Sequence, residues 1–357
     1  MFPEWTVVVG FYLGAIIGSF LNVVIYRLPR RIPLGKPAKS FCPACEHSLG
    51  VPDLFPLFSW LLLRGRCRYC KARVSSRYFW VEIFNGLVWG GLWWQHLVAG
   101  GDPARAIAYA LAGSALVAII FIDWELLIIP DEINAFLLFV GLGYNGWLLY
   151  TNSPQAMTWG IPSALAGWIV GTAVLWGIAF LGRVAFGKDA MGHGDIKMAR
   201  GIGAVLFPTV ALESFALAVV FGAVFGVAQV ILLNRAERTE SSPETVGIDS
   251  EEEFEPPESM GSLLKCGLGY LLCVDVIGLF VPRLYESWFG VPAFATAEEE
   301  YENFEVERTM IPFGPYLALG AICAAVFAQQ IGAGVDRYLD WVFGEDRMEQ
   351  GRQLGGQ

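Results

Sequence analysis

The 357 residues of this chain are 55% hydrophobic, 14% aromatic and only 16% charged, with a mean hydropathy of +0.50 and a net charge of −10. Soluble domains carry about a quarter charged residues, so the composition excludes an ordinary soluble domain and points to the bilayer.

Apolar runs near the ~20 residues that a helix needs to cross hydrocarbon fall at about 6–26, 79–99, 104–122, 126–150, 159–182, 196–212, 213–233 and 313–333. A further run at 262–282 is ambiguous. The expectation is an all-α, polytopic helical membrane protein with about eight transmembrane helices. The first run, "TVVVGFYLGAIIGSFLNVVIY", has neither a basic leading region nor a small-residue cleavage site, and reads as a retained span. The chain divides into a first transmembrane helix (1–27), a cysteine loop (28–78), a transmembrane core (79–234), an acidic insertion (235–310) and a last helix with its tail (311–357).

Charge sets an orientation. Between Arg27 and Arg77 lie eleven Lys and Arg against Glu46 and Asp53, a balance of +9, which leaves −19 for the rest. The positive-inside rule puts this loop in the cytoplasm. Counting spans from there brings the end of the 104–122 run, with Asp123, and the start of the 196–212 run, with Asp195, to the same face. Lys188, Lys197, Arg200, Arg235 and Arg238 fall on that side, while the outer loop 151–158 has no charge.

Within the basic loop, "FCPACEHSLG" and "GRCRYCKAR" supply Cys42-x2-Cys45 and Cys67-x2-Cys70. Two such pairs suit four thiolates closing tetrahedrally on a structural zinc, and the basic neighbours favour thiolate. Because the loop is polar, metal binding would supply much of its folding energy. Iron and disulfides are alternatives; a reducing cytoplasm disfavours the latter. Cys266, Cys273 and Cys323 lie in apolar segments and read as packing residues.

Asp123 stands in "AIIFIDWELLIIPDEI", where Pro130 breaks the following helix and lets Asp131 face a wet cavity. Asp195 follows Gly192 and Gly194 in "MGHGDIKM", with Lys197 two residues on. The glycines permit unusual φ/ψ and close approach of another backbone. Alone, Asp195 reads equally as a helix N-cap, Asp123 as a carboxylate at the membrane boundary and Asp131 as a cap. Glu125 reads as a boundary charge, and Glu82 and Glu213 as paired polar residues inside the bundle. Together at one face, Asp123 and Asp195 make a candidate aspartyl protease pair. Two carboxylates that share a site hold one proton between them; the ionised one activates water and the protonated one polarises the scissile carbonyl. The three histidines form no HExxH pattern, and no GxSxG occurs.

These residues together resemble the bacterial type IV prepilin peptidase family, also called leader peptidase/N-methyltransferase, among the GxGD intramembrane aspartyl proteases. The resemblance lies in "GSFLNVVIYRLPRR" (17–31), the two cysteine pairs, "LLLRGRCRYCKARVSSRYFWVE" (61–82), "FIDWELLIIPD" (121–131), "GHGDIKM" (192–198) and "IPFGPYLALG" (311–320), in that order along the chain. It implies that Asp123 and Asp195 are catalytic, with Gly192, Gly194, Asp131 and Lys197 in support and zinc on Cys42, Cys45, Cys67 and Cys70. It implies removal of a short basic leader from prepilins or pseudopilins at the cytoplasmic face of the inner membrane. Methylation of the new N-terminus with S-adenosylmethionine would follow. No nucleic-acid partner is expected.

Two departures stand out. "VPDLFPLFSW" lacks the Asn-Ile-Pro often found after the first cysteine pair, which bears on the methyltransferase half. The insertion 235–310 carries acidic, Pro/Ser-rich stretches that read as linker around "SLLKCGLGYLLCVDVIGLFVPRLY". That apolar segment is expected to lie re-entrant or interfacial with Asp275 toward water. A non-catalytic assembly factor of a pilus or type II secretion system, and a proton-coupled transporter, are the competing functions. The first would be favoured by loss of either aspartate, the second by an inverted repeat with a mid-membrane acid.

Overall fold

The computed structural model describes residues 2–35, 40–187, 191–239, 259–290, 312–327, 330–334 and 337. Lys188, the acidic stretches within 240–258 and 291–311, and the end of the last expected span lie outside the described residues.

Eleven helices carry the described fold: α1 (Val7–Arg27), α2 (Phe58–Leu62), α3 (Arg77–Trp93), α4 (Pro103–Leu126), α5 (Asp131–Tyr150), α6 (Ser163–Phe186), α7 (His193–Thr239), α8 (Met260–Leu271), α9 (Val274–Gly278), α10 (Pro282–Phe289) and α11 (Gly314–Phe327). A two-residue hairpin, β1 (Met157–Thr158) with β2 (Ile161–Pro162), joins α5 to α6. Five helices are long and apolar enough to cross a membrane: α1 with the turn before it, α4, α5, α6 and α7 up to Gln229. The chain is a multi-pass helical membrane protein.

Lipid tails are as apolar as leucine, so close packing and buried polar contacts hold such helices together. In the α1–α3 pair the Asn85 amide donates to the Gly14 carbonyl at 2.6 Å, and the Asn22 amide to the Tyr78 carbonyl at 3.1 Å. A methyl group on Gly14 would collide with Trp89 and the Asn85 carbonyl, so the pair needs hydrogen at that position. The central helix is α4, most of whose residues are buried.

The two runs expected at 196–212 and 213–233 differ from the structure in where they part. The break falls at Phe207 (φ 64°, ψ 170°), immediately before Pro208. Proline has no N–H to continue the ladder and its ring clashes with the preceding turn, so the helix breaks where the ring sits rather than where hydropathy dips.

The apolar segment at 262–282 is no single span. It forms the short helices α8, α9 and α10, broken by left-handed Cys273 and by Pro282, and packs against α6 and α7. Asp275, expected to face water, is instead buried at 1% exposure and paired with Arg200. A carboxylate in an apolar run must be hydrated or paired, and here a partner 75 residues away supplies the second solution.

Candidate active site and metal centre

Helix α4 ends just beyond Asp123. Leu127 takes a left-handed conformation at the C-cap, Pro130 cannot extend the helix, and α5 restarts at Asp131 with Pro130 as its N-cap. Asp123 therefore sits in the last turn of a buried helix, 5% exposed.

Helix α7 starts at His193, so Asp195 is its third residue rather than the N-cap. The carboxylate reaches back to the Gly192 backbone amide, as an acid at that position does in a capping box. Its Oδ1 is buried without a partner among the described residues.

The two carboxylates lie close enough to influence each other. Asp195 lies within electrostatic reach of Asp123, and Asp123 accepts from the backbone of Gly314 at the start of α11. A methyl on Gly314 would run into the Asp123 carboxylate and Ile129. One on Gly194 would come within 3.1 Å of Ile129. Neither Gly192 nor Gly194 has a left-handed φ; close approach, not unusual φ, is what the motif's glycines provide here.

Asp131 and Lys197 are brought to each other rather than onto the aspartate pair. Lys197 Nζ donates to both Asp131 oxygens at 2.8 and 2.9 Å and to Tyr285 Oη at 3.2 Å. Tyr285 in turn donates to Asp131 Oδ2 at 3.0 Å. Further ties run through residues to which the sequence reading assigned no place in the site. Arg200 holds Asp275 through two bonds of 2.7 and 2.6 Å, and Tyr270 Oη meets His193 Nδ1 at 2.8 Å. The signals in the sequence were Asp275, expected to face water, and two Tyr within the apolar segment of the acidic insertion.

Of the remaining acids, Glu125 pairs with Arg77, and Glu82 accepts the Leu57 amide at 2.7 Å rather than a charged partner. With the Arg31–Glu132 pair, Arg77–Glu125 ties the cysteine loop to the same end of the bundle that carries Asp123 and Asp131.

Each cysteine pair sits in the same kind of tight turn. Cys42 N–H donates to the His47 carbonyl at 3.0 Å and Cys67 N–H to the Ala72 carbonyl at 2.8 Å, closed by single bridges Phe41–Ser48 and Arg66–Arg73. The four sulfurs lie within 4.8 Å of one another, Cys42 and Cys70 at 3.9 Å. Zinc with Zn–S bonds of about 2.3 Å sets its sulfurs roughly 3.8 Å apart, so the four thiols fit a tetrahedral zinc. The Cys70 amide, aided by that of Tyr69, pulls the Cys67 thiol down to about 7. The His47 amide favours the Cys45 thiolate, yet desolvation and the adjoining Cys70 and Cys42 push that thiol up to about 12. Four thiolates this close need a dication among them. Asp53 links the turns, accepting from Arg68 at 2.6 Å, Gly50 at 3.1 Å and Tyr69 at 3.2 Å; the Arg68 guanidinium holds its carboxyl below the usual range.

Between this loop and the ends of α1 and α3 opens a cavity of about 480 Å³, lined among others by Asn22, Tyr26, Trp60, Arg77, Tyr78 and Glu82. Two of its buried wall atoms, Asn22 Oδ1 and Arg77 Nε, have no partner among the described residues.

Two buried carboxylates in a polytopic helical bundle beside a four-cysteine loop make a candidate membrane-embedded peptidase site, and the comparisons with known proteins give the family. Residues 12–96 match the bacterial peptidase A24 N-terminal domain, and residues 110–227 match the type IV leader peptidase family. The chain is 35% identical over 256 residues to a prepilin leader peptidase/N-methyltransferase of Stutzerimonas stutzeri, covering 64% of this chain and 81% of the relative. It is 33% identical over 318 residues to the protein so named from Myxococcus xanthus, covering 87% of each. For the protein of that name from Pectobacterium carotovorum subsp. carotovorum the identity is 36% over 232 residues, covering 58% and 77%. No solved structure matches the chain. The chain belongs to the type IV leader peptidase family.

Proposed function

We propose that this chain is an aspartyl prepilin leader peptidase in which Asp123 and Asp195 share one proton and cut the leader at the cytoplasmic face of the bacterial inner membrane. The observation that carries the reading is that two buried carboxylates, from the end of α4 and the start of α7, lie within electrostatic reach of each other, one keeping an unpartnered oxygen. That geometry suits a water held between them: the ionised carboxylate takes its proton while the other polarises the scissile carbonyl. The names of the relatives support prepilins or pseudopilins as substrates. The basic loop, joined to this end of the bundle by Arg77–Glu125 and Arg31–Glu132, supports the cytoplasmic orientation.

The relatives' names also support methyl transfer. We place S-adenosylmethionine, which supplies an electrophilic methyl when bound, in the cavity beside the cysteine loop. Asn22 and Arg77 offer hydrogen bonds to its polar groups, and Glu82 with Tyr26 and Tyr78 suits its cationic centre. Zinc on the four cysteines would hold the wall of that cavity in shape. The segment 259–290 is read as lying at or partway into the membrane interface, since none of its helices is long enough to span.

The test is cleavage of a prepilin-like substrate in proteoliposomes by wild type, Asp123→Asn and Asp195→Asn, with mass spectrometry of the new N-terminus. Each substitution should lower cleavage by about 10² to 10⁴ while the fold and metal content persist. Wild-type cleavage by either variant would overturn the aspartyl assignment.

A further inference from the structure

The segment 259–290 lies beyond residue 227, where the match to the family model ends, and its closest polar contacts are to the helix that carries Asp195. Tyr270 Oη bonds His193 Nδ1, Tyr285 Oη bonds Lys197 Nζ, and Asp275 takes the Arg200 guanidinium, which also donates to the Tyr270 carbonyl at 2.9 Å. His193, Lys197 and Arg200 are spaced four and three residues apart, so they form one stripe along α7. At about 100° per residue, Asp195 projects from roughly the opposite side of the same turns. Asp275, Tyr270, Lys197 and Arg200 are all buried, and the first two turns are gripped on their back by three side chains and one backbone carbonyl from a single segment.

A helix held at three heights along one stripe cannot turn about its axis. Rotation of α7 would carry Asp195 away from Asp123, and catalysis tolerates only small errors in the placement of an acid and a base. Tyr285 adds a second tie: through Asp131 it joins the start of α5, just beyond the Leu127–Pro130 break that follows Asp123.

We propose that the 259–290 segment is a clasp that sets the rotation of α7, with Tyr270, Asp275 and Tyr285 as positioning residues for the Asp195 carboxylate. The proposal rests on the reading of Asp123 and Asp195 as the catalytic pair.

The experiment uses the full chain in proteoliposomes. Steady-state cleavage of a prepilin-like substrate, thermal midpoint and amide hydrogen exchange over 192–200 are compared for wild type, Tyr270→Phe and Tyr285→Phe. These changes remove one hydroxyl each and keep the ring packing of Tyr270 and Tyr285 on Phe289. The expected result is kcat lowered about fivefold to tenfold, as for loss of one buried hydrogen bond, with KM unchanged, the midpoint near wild type and faster exchange at 192–200. Wild-type kcat and exchange in both variants would overturn the clasp. So would a loss of activity matched by loss of folded protein. If wild type itself cuts no such substrate, the peptidase reading falls and with it the positioning role, while quickened exchange in the variants would still show that the segment holds α7.

Discussion

Asp131 and Lys197, 66 residues apart in sequence, form an ion pair at 2.8 Å, with Lys197 buried and Asp131 half-buried, that ties the first residue of α5 to the first turns of α7. The pair lies beside the two candidate catalytic aspartates without replacing either. Its place explains why a Pro-Asp step at the start of one span and a lysine two residues after Asp195 belong to one arrangement.

Removing Asp131 leaves the buried Lys197 charge stranded, whereas removing Lys197 leaves a half-buried carboxylate that keeps Tyr285. Asp131→Leu alone should cost about 3–5 kcal/mol, Lys197→Met alone less, and the double replacement less than their sum. Denaturation in detergent of the two single variants and the double variant measures this directly. Additive losses would mean that the two side chains do not act as a pair.

Gly314 faces the Asp123 carboxylate so closely that a methyl group cannot be added without moving one of them. Gly314→Ala is expected to lower cleavage by tenfold or more, on the order expected when a catalytic group is displaced by about an ångström. Gly143 has open space around it, and Gly143→Ala should cut like wild type. Equal activity in both would separate α11 from the active site.

Removal of zinc tests the cysteine loop. Chelation, or Cys42→Ser, should expose 40–75 to limited proteolysis, because four crowded thiols without a cation cannot all ionise. Methyl transfer should fall with it, since Cys42 and Cys67 line the adjoining cavity. A loop equally resistant with and without metal would show that the turns fold on their own hydrogen bonds.

The cavity itself has a sharper test. Asn22→Leu removes an unpartnered wall oxygen and fills space in a cavity whose lining includes neither Asp123 nor Asp195. Methylation of the cut product should drop about tenfold, the scale of one lost hydrogen bond to a ligand, with cleavage unchanged. Unchanged methylation would remove the cavity as the S-adenosylmethionine site.

Much of this protein is legible from the chain alone, because hydropathy and local stereochemistry are properties of neighbouring residues. The long apolar runs mark α1, α4, α5 and α6, since a helix must satisfy its own backbone where no water is present. Two Cys-x2-Cys pairs in a polar loop announce a metal site before any coordinate is known. The resemblance to the leader peptidase family, through a Gly-x-Gly-Asp step and an aspartate eight residues before that of the Pro-Asp pair, marks Asp195 and Asp123 as candidates. Pro208 also marked the break in α7, though the hydropathy boundary pulled the expected division several residues past it.

Tertiary structure alone decided which partner each buried charge takes. Asp275 in an apolar run has two physically sound solutions, water or a cation, and nothing within its own segment chooses between them. The choice is made by Arg200, 75 residues earlier, on a helix that the folded chain lays alongside. The same holds for Lys197 with Asp131 and for Tyr270 with His193. A local sequence window records that such a group needs a partner; only packing of distant segments determines which group that is.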